Sequence, residues 1–363
     1  NGVLPRPASL DAVTQWFTES FRAEFEKQAT LMGRFNLGVF GKTGVGKSTL
    51  INAVFGEQVA ATGIGAPVTQ GSHLYLDPHG PLGLIDSRGL EIGRDDDQLI
   101  KELNQWVKAQ RKLPLSEQMH AAWYCVRALD RRFEDAEVRF IEALDSLDIP
   151  VILVFTQVPA RDGQIHPDAL ELARMVQEKA LPIVGGRPLF TFALRDQFSG
   201  QPSHGLVELL EATFLAVPEA VHLALASAQQ IDLDAKARQA HRSIAASAAG
   251  AATAAAIPIP FSSAAVLVPL QLSMMARIAQ LYGVQFDRAA LLAIASTSLA
   301  TTAGRTAVTG LLKFVPGAGT IAGGVINAGV ASGLTVAMGE AWLAVCQRVA
   351  SGGIPDLDGV LGS

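Results

Sequence analysis

Gly41-Lys42-Thr43-Gly44-Val45-Gly46-Lys47-Ser48 is the stretch on which the fold turns. It has the spacing GxxxxGK[ST]. Before it, Phe35–Phe40 is an apolar run of strand length; after it, Lys47–Phe55 carries a helical pattern. The glycines let backbone N–H groups close around phosphate oxygens, and the N-terminus of the following helix adds partial positive charge. In this register Lys47 reaches the β- and γ-phosphates and Ser48 ligates Mg2+. The candidate nucleotide contacts are Gly41, Thr43, Gly44, Val45, Gly46, Lys47, Ser48 and Thr49.

Working outward, apolar runs of strand length lie at 73–76, 82–85, 121–126, 150–155 and 189–192. Helical patterns lie between most of them, at 97–112, 134–147, 167–180 and 205–216. Strands alternating with helices predict an α/β fold whose mostly parallel sheet is covered on both faces. Run 82–85 ends in Asp86-Ser87-Arg88-Gly89. A carboxylate at a strand end beside the phosphate loop can hold Mg2+ through a water, and Gly89 lets its N–H approach a γ-phosphate. Between these motifs lies Ala66-Pro67-Val68-Thr69-Gln70. Thr69 is a candidate Mg2+ ligand and γ-phosphate sensor, with Thr62 as its rival. Gly63, Gly65 and Gly71 suit a loop that moves.

With these residues in place, the span 36–195 resembles the translation-factor-like class of GTPases. The run 41–53, Pro67-Val68-Thr69, the run 86–91 and Trp123-Tyr124-Cys125 resemble the Era- and septin-like GTPases and the immunity-related GTPases. The apolar C-terminal part resembles a helical domain found behind bacterial G domains. The resemblance implies GTP or GDP as ligand, Mg2+ as cofactor, and slow hydrolysis by a molecular switch. Lys47, Thr69, Arg88 and Gly89 would then serve hydrolysis, with Ser48, Thr69 and Asp86 at the metal.

Two departures from that family pattern matter. Such GTPases carry [NT]KxD after a sheet strand, where the Asp carboxylate accepts from guanine N1–H and the 2-amino group. Here the segment is Thr156-Gln157-Val158-Pro159, so Thr156 fits, Gln157 replaces Lys, and Pro159 replaces the carboxylate. Asp162 is an acid that could reach back. In the later base loop, Thr191-Phe192-Ala193-Leu194, the best match is Ala193. Thr156, Gln157 and Ala193 are therefore the expected base contacts, with weakened selection of guanine. The second departure is Leu90, which stands where Ras-like enzymes have a water-orienting Gln. Arg88, from the same chain or a second copy, is a candidate replacement; a solvated loop residue is the alternative. Gly44 stands where potassium-activated relatives have Asn, so potassium dependence is not expected.

The chain has 363 residues, 49% hydrophobic and 17% charged, with a net charge of −5 and a mean hydropathy of +0.28. That composition excludes a mainly disordered chain. With no overall basic field, a nucleic-acid partner is not expected. Cys125 and Cys346 lie far apart, which excludes a disulfide scaffold, and the seven histidines are scattered. The mixed helical pattern at 9–33 is no signal peptide, and a cytoplasmic location is expected. The stretches 243–276, 289–304 and 314–339 carry no charge at all. Composition thus divides the chain into an N-terminal amphipathic helix (1–34), a P-loop α/β domain (35–217) and an apolar all-α domain (218–363).

In the last part, helical patterns run over 218–246, 246–256, 262–282, 288–302, 305–314 and 320–350. Pro258, Pro260, Pro269 and Pro316 are expected to cut the apolar stretches into pieces. Pro260 and Pro316 are spaced like Gly283 and Gly339, which hints at a repeat. Gly319/Gly323 and Gly329/Gly333 have the small-residue spacing of closely packed helices. A soluble bundle and a bundle that inserts at a membrane both fit. Three functions remain open: a GTP-hydrolysing switch, a nucleotide-dependent membrane or assembly module with negligible turnover, and a P-loop ATPase. The last is disfavoured because no Glu adjoins Asp86. Expected partners are a guanine nucleotide, a second copy across the nucleotide face, and lipid or a protein effector at the C-terminal helices.

Overall fold

The computed structural model describes residues 10–56, 64–69, 72–76, 80–86, 96–195, 200–255, 262–284 and 328–352. In chain order the elements are α1 (Leu10–Met32), β1 (Phe35–Phe40), α2 (Lys47–Phe55), β2 (Ile64–Thr69), β3 (Ser72–Leu76), β4 (Leu82–Asp86), α3 (Asp96–Gln110), β5 (Ala121–Arg127), α4 (Asp135–Asp145) and β6 (Val151–Thr156). There follow β7 (Ala160–Arg161), β8 (Gln164–Ile165), α5 (Pro167–Glu178), β9 (Leu189–Phe190), α6 (Leu206–Ala216), α7 (His222–Ala228), α8 (Leu233–Ala255), α9 (Ser262–Leu281) and α10 (Ala328–Ala350). Two compact units divide them: Gly33–Leu233, and Asn1–Met32 together with Asp234–Ser363.

The first unit is the expected α/β fold. Its seven-stranded sheet has the order β2-β3-β4-β1-β5-β6-β9. β1 pairs in parallel with β4 on one side and β5 on the other, while β2, β3 and β4 are antiparallel. β1 and β6 are buried along their whole length and β5 up to Val126, as a sheet covered on both faces requires. Neighbours in β5 serve opposite faces. Trp123 stacks on Phe55 of α2 at 5.7 Å and donates to Thr213 Oγ1 of α6 at 3.0 Å. Tyr124 meets Phe140 of α4 at 5.6 Å, and Phe40 meets the same ring at 5.0 Å. Trp123 and Tyr124 are thus core residues of the strand.

Three local features differ from the sequence pattern. The segment carrying Thr69 is an edge strand, β2, where a loop was expected; edges tolerate its Pro67. Between β6 and α5 the chain makes a small hairpin, β7–β8, whose turn residues Asp162 and Gly163 have φ of 51° and 78°. The helical pattern at 218–246 is interrupted after α7. There the buried Gln229 takes the N–H groups of Ile231 and Asp232 on its Oε1, at 2.8 and 2.7 Å. Gln230 N–H then bonds the Val54 carbonyl of α2 at 2.9 Å. Residues 218–233 therefore stay with the sheet, and the compact units part at Leu233/Asp234 where composition divides the chain at 217/218.

The second unit is helical among its described residues. α1 packs on α9, and α9 on α10. Phe21 of α1 meets Trp342 of α10 edge-on at 5.9 Å, and Trp342 Nε1 donates to the Met275 carbonyl of α9 at 2.9 Å. α9 continues through Pro269 instead of stopping there. A helix-interior proline costs about 3 kcal/mol; burial of Leu267, Val268 and Leu272 on either side offsets it. The hinted repeat also fails: Gly283 follows α9 at φ 64°, while Gly339 lies inside α10. An added Cβ at Gly339 would stand 2.7 Å from Ile244 Cγ1 of α8, so this glycine permits the closest approach. Gly329 and Gly333 are exposed on α10 instead. The breaks expected at Pro258, Pro260 and Pro316, the pair Gly319/Gly323, and the patterns 288–302 and 305–314 lie outside the described residues. α10 is long and apolar enough to cross a membrane.

Replacing Gly339 by Val should destabilise the helical unit by about 1–3 kcal/mol through overpacking. In an Ile244→Ala background the same change should cost measurably less. Chemical unfolding of the four proteins checks this. A second expectation concerns Lys236, which burial holds at a pKa of about 8 while its Nζ donates to the Leu281 carbonyl at 3.0 Å. Between pH 8 and the ordinary lysine value of 10.5, the unfolded chain keeps a proton that the folded chain releases. Stability should therefore rise with pH across that window. The unfolding free energy of wild type minus that of Lys236→Met should climb by up to about 3 kcal/mol, and a flat difference contradicts the assignment.

Candidate functional site

The loop 41–46 leaves the carboxyl end of β1, where the chain turns to opposite sides of the sheet: β4 on one flank, β5 on the other. Such switch points are where open α/β sheets bind ligands. Gly41 has φ 128°, and a Cβ there would collide with the Cys125 carbonyl of β5. Only glycine lets the loop pass this close. Gly46, at φ 95°, is the residue before α2. Lys47 is buried, and its Nζ donates back to the carbonyls of Gly41 and Lys42 at 2.8 and 3.0 Å. The loop thus wraps its own ammonium group. Thr43, Gly44 and Ser48 are exposed, Val45 is buried, and Thr49 faces a cavity beside the loop.

That cavity, about 350 Å3, brings the expected base residues together. Its wall includes Gly46, Thr49, Thr156, Gln157, Thr191 and Ala193. Thr156 Oγ1 donates to the Val45 carbonyl at 2.5 Å and lies 3.3 Å from the Val126 carbonyl. Gln157 has φ 54°, and its Nε2 lies 3.4 Å from the Gly44 carbonyl. Thr and Gln therefore hold the phosphate loop from the end of β6. Asp162 does not reach back: it is at the tip of the β7–β8 hairpin, with a side chain 94% exposed and 4.0 Å from Arg161 Nε.

Sheet register places the remaining candidates. Asp86 ends β4 and is paired with Val39 of β1 and with His73 of β3. Thr69 ends β2, paired with Ser72. Both end on the sheet edge that carries the phosphate loop. Adjacent strands are about 4.8 Å apart, so Thr69 stands three strand spacings, about 14 Å, from β1. Arg88, Gly89, Leu90 and Thr62 lie outside the described residues.

Several site residues carry no local sequence signal. Lys42 pairs with Glu134 at 2.9 Å and with Glu137 at 3.8 Å, tying the phosphate loop to the start of α4. Glu137 accepts the Glu134 N–H at 2.6 Å in a capping box. Burial pushes the Glu137 carboxyl up, against the pull of Lys42. Arg127 at the end of β5, Leu129 just after it, and Leu194 also line the cavity, with Leu50 and Phe192.

Residues 36–157 match the model of a family described as 50S ribosome-binding GTPase. This span runs from β1 to Gln157 and is about a third of the chain. No curated protein sequence matches. Among solved structures the chain is similar to an Era variant from Aquifex aeolicus bound to GDP and aluminium fluoride. That match has 17% identity and a TM-score of 0.35, covering 60% of this chain and 67% of that one. It is also similar to Era in complex with MgGDPNP and a segment of 16S ribosomal RNA. There the identity is 17% and the TM-score 0.33, covering 58% of this chain and 67% of that one.

Removing the Lys47 ammonium by Lys47→Ala should weaken triphosphate binding about ten- to a hundredfold, the value of a hydrogen bond to a charged group. Thr156→Val should weaken it about tenfold while lowering stability by about 1 kcal/mol, because the Val45 carbonyl loses its donor. Titration calorimetry beside chemical unfolding separates the two effects. Unchanged affinity in both variants removes this loop as the phosphate site.

Proposed function

Since residues 36–157 form a P-loop GTPase domain, we propose that the chain is a Mg2+-dependent, GTP-hydrolysing switch whose nucleotide state is relayed to its helical unit. The observation that carries this reading is the braced phosphate loop: Lys47 inside it, Thr156 and Gln157 behind it, and α2 opening directly from it. Buried Lys47 and the loop N–H groups stabilise charge that develops on the β- and γ-phosphate oxygens as water attacks in line. The oxygen donors suit a hard divalent cation: the Ser48 hydroxyl in the first turn of α2, the carboxyl of Asp86, and Thr69. A Mg2+ ion held by these residues would supply positive charge to the phosphate oxygens. Thr69 unpairs from Ser72 to reach that site, which makes β2 the nucleotide-sensing segment. Gly89 would offer its N–H to the γ-phosphate, and Arg88 would stand in for the water-orienting Gln whose place Leu90 takes. A second copy across the nucleotide face is the partner that would complete this set.

A slower device is favoured by one further feature. α10 is long and apolar enough to cross a membrane and exposes Val330 and Val336. On that second reading the protein is a nucleotide-dependent membrane or assembly module at the cytoplasmic face, with negligible turnover. Single-turnover hydrolysis of bound GTP, with Mg2+ or EDTA and with or without liposomes, decides between them. Phosphate release that needs Mg2+ and is lost in Lys47→Ala is the expected result. Bound GTP that stays intact while flotation with liposomes follows the nucleotide state establishes the second reading instead.

A further inference from the structure

Among the described residues, the wall of the cavity beside Gly46 contains no acidic side chain. The one charged residue described there is Arg127. Pro159 has no side-chain acceptor, and its carbonyl takes the His166 N–H at 3.0 Å. Val158 is equally engaged: its N–H donates to the Thr191 carbonyl at 3.0 Å, and its carbonyl lies 2.9 Å from His204 Nε2. These bonds pin the connection that follows β6 and engage the Val158 and Pro159 carbonyls inside the protein. Asp162, turned outward at the hairpin tip, is not part of the wall. Among the described residues of this cavity, a guanine 2-amino group would meet no carboxylate.

The opposite wall is different. Phe192 and His204 exchange both backbone hydrogen bonds at 3.0 Å, which fixes the loop through Ala193. Among the described residues Ala193 N–H has no protein partner, and Ala193 lines the cavity. A fixed N–H donor suits a 6-oxo group and mismatches a 6-amino group, which is itself a donor. Leu129 and Leu194, 37% and 61% exposed, give the cavity apolar sides for the faces of a ring.

We propose that this site selects a purine by its 6-oxo group and is indifferent to its 2-substituent, so that inosine 5′-triphosphate binds as well as GTP. The inference rests on the reading of the chain as a GTP-binding protein and names the wider class of 6-oxopurine nucleotides it takes. In a site where a carboxylate accepts from the 2-amino group, losing that group costs about tenfold to over a hundredfold in affinity. Here no carboxylate among the described wall residues accepts from that group.

The test is displacement of a fluorescent GDP analogue from the full-length protein by GTP, ITP and ATP, at one Mg2+ concentration. ITP should match GTP within about fivefold, and ATP should be weaker than both by about tenfold or more. Asp162→Ala should leave GTP affinity unchanged. ITP weaker than GTP by more than about fivefold overturns the inference, as does ATP equal to GTP, or a loss of GTP affinity in Asp162→Ala. Failure of GTP itself to displace the analogue overturns the GTP-binding reading and this inference with it. Failure of ITP alone leaves that reading standing.

Discussion

A phosphate-binding loop has almost no interior of its own, so other parts of the sheet must hold its shape. The decisive contact is the passage of Gly41 against the Cys125 carbonyl, too close for any Cβ. That passage exists only because β1 lies directly beside β5, in a register that pairs Phe40 with Tyr124. The register in turn is set by buried rings on both faces, with Trp123 against Phe55 on one and Phe40 and Tyr124 against Phe140 on the other. Packing of the core thus dictates where the N–H groups of the loop stand.

Three further bonds close the loop from different directions: Thr156 on Val45, Gln157 near Gly44, and Glu134 on Lys42. They come from two parts of the chain, the first two from the end of β6 and the third from the approach to α4. Electrostatically they are unlike. Thr156 and Gln157 are neutral and orient carbonyls. Glu134 draws the Lys42 ammonium toward α4, leaving Lys47, folded onto the carbonyls of Gly41 and Lys42, as the cation inside the loop. A loop held this way needs little reorganisation to take up an anion, which is the condition for strong electrostatic stabilisation.

Parts of this were legible because they are local. Gly41 to Ser48 declares itself in eight consecutive residues, and the periodicity of the α/β half locates its strands and helices. The edge strand β2 was not legible, since Gly63, Gly65 and Pro67 argue against a strand and only pairing with β3 makes one. Gln229 was not legible either: inside an apolar helical pattern it reads as one more polar face residue, yet buried it caps two N–H groups and ends the helix. Lys42, Glu134, Arg127 and Leu194 share the limitation. Their roles arise from contacts across many residues of sequence, and nothing in their spacing marks them.

The helical unit poses the complementary problem. Surfaces rich in Ala and Gly slide past one another with little penalty, so apolar burial alone does not fix a register. Directional bonds do: Thr335 receives the buried Gln271 Nε2 at 3.1 Å, Trp342 bonds the Met275 carbonyl, and Gln28 meets Arg277 and Ser273. Gln271 Oε1 is buried without a partner, so even this site is not fully satisfied. These groups limit what α10 can do. Transferred into hydrocarbon without partners, each buried polar group costs several kcal/mol, about 4–8 on a cyclohexane scale. Complete insertion of α10 would break both its bonds to α9. Contact of its outward side, where Val330 and Val336 lie, would keep them. The bonds of Thr335 and Trp342 therefore count against α10 as a complete span, and covering its outward side would leave them intact.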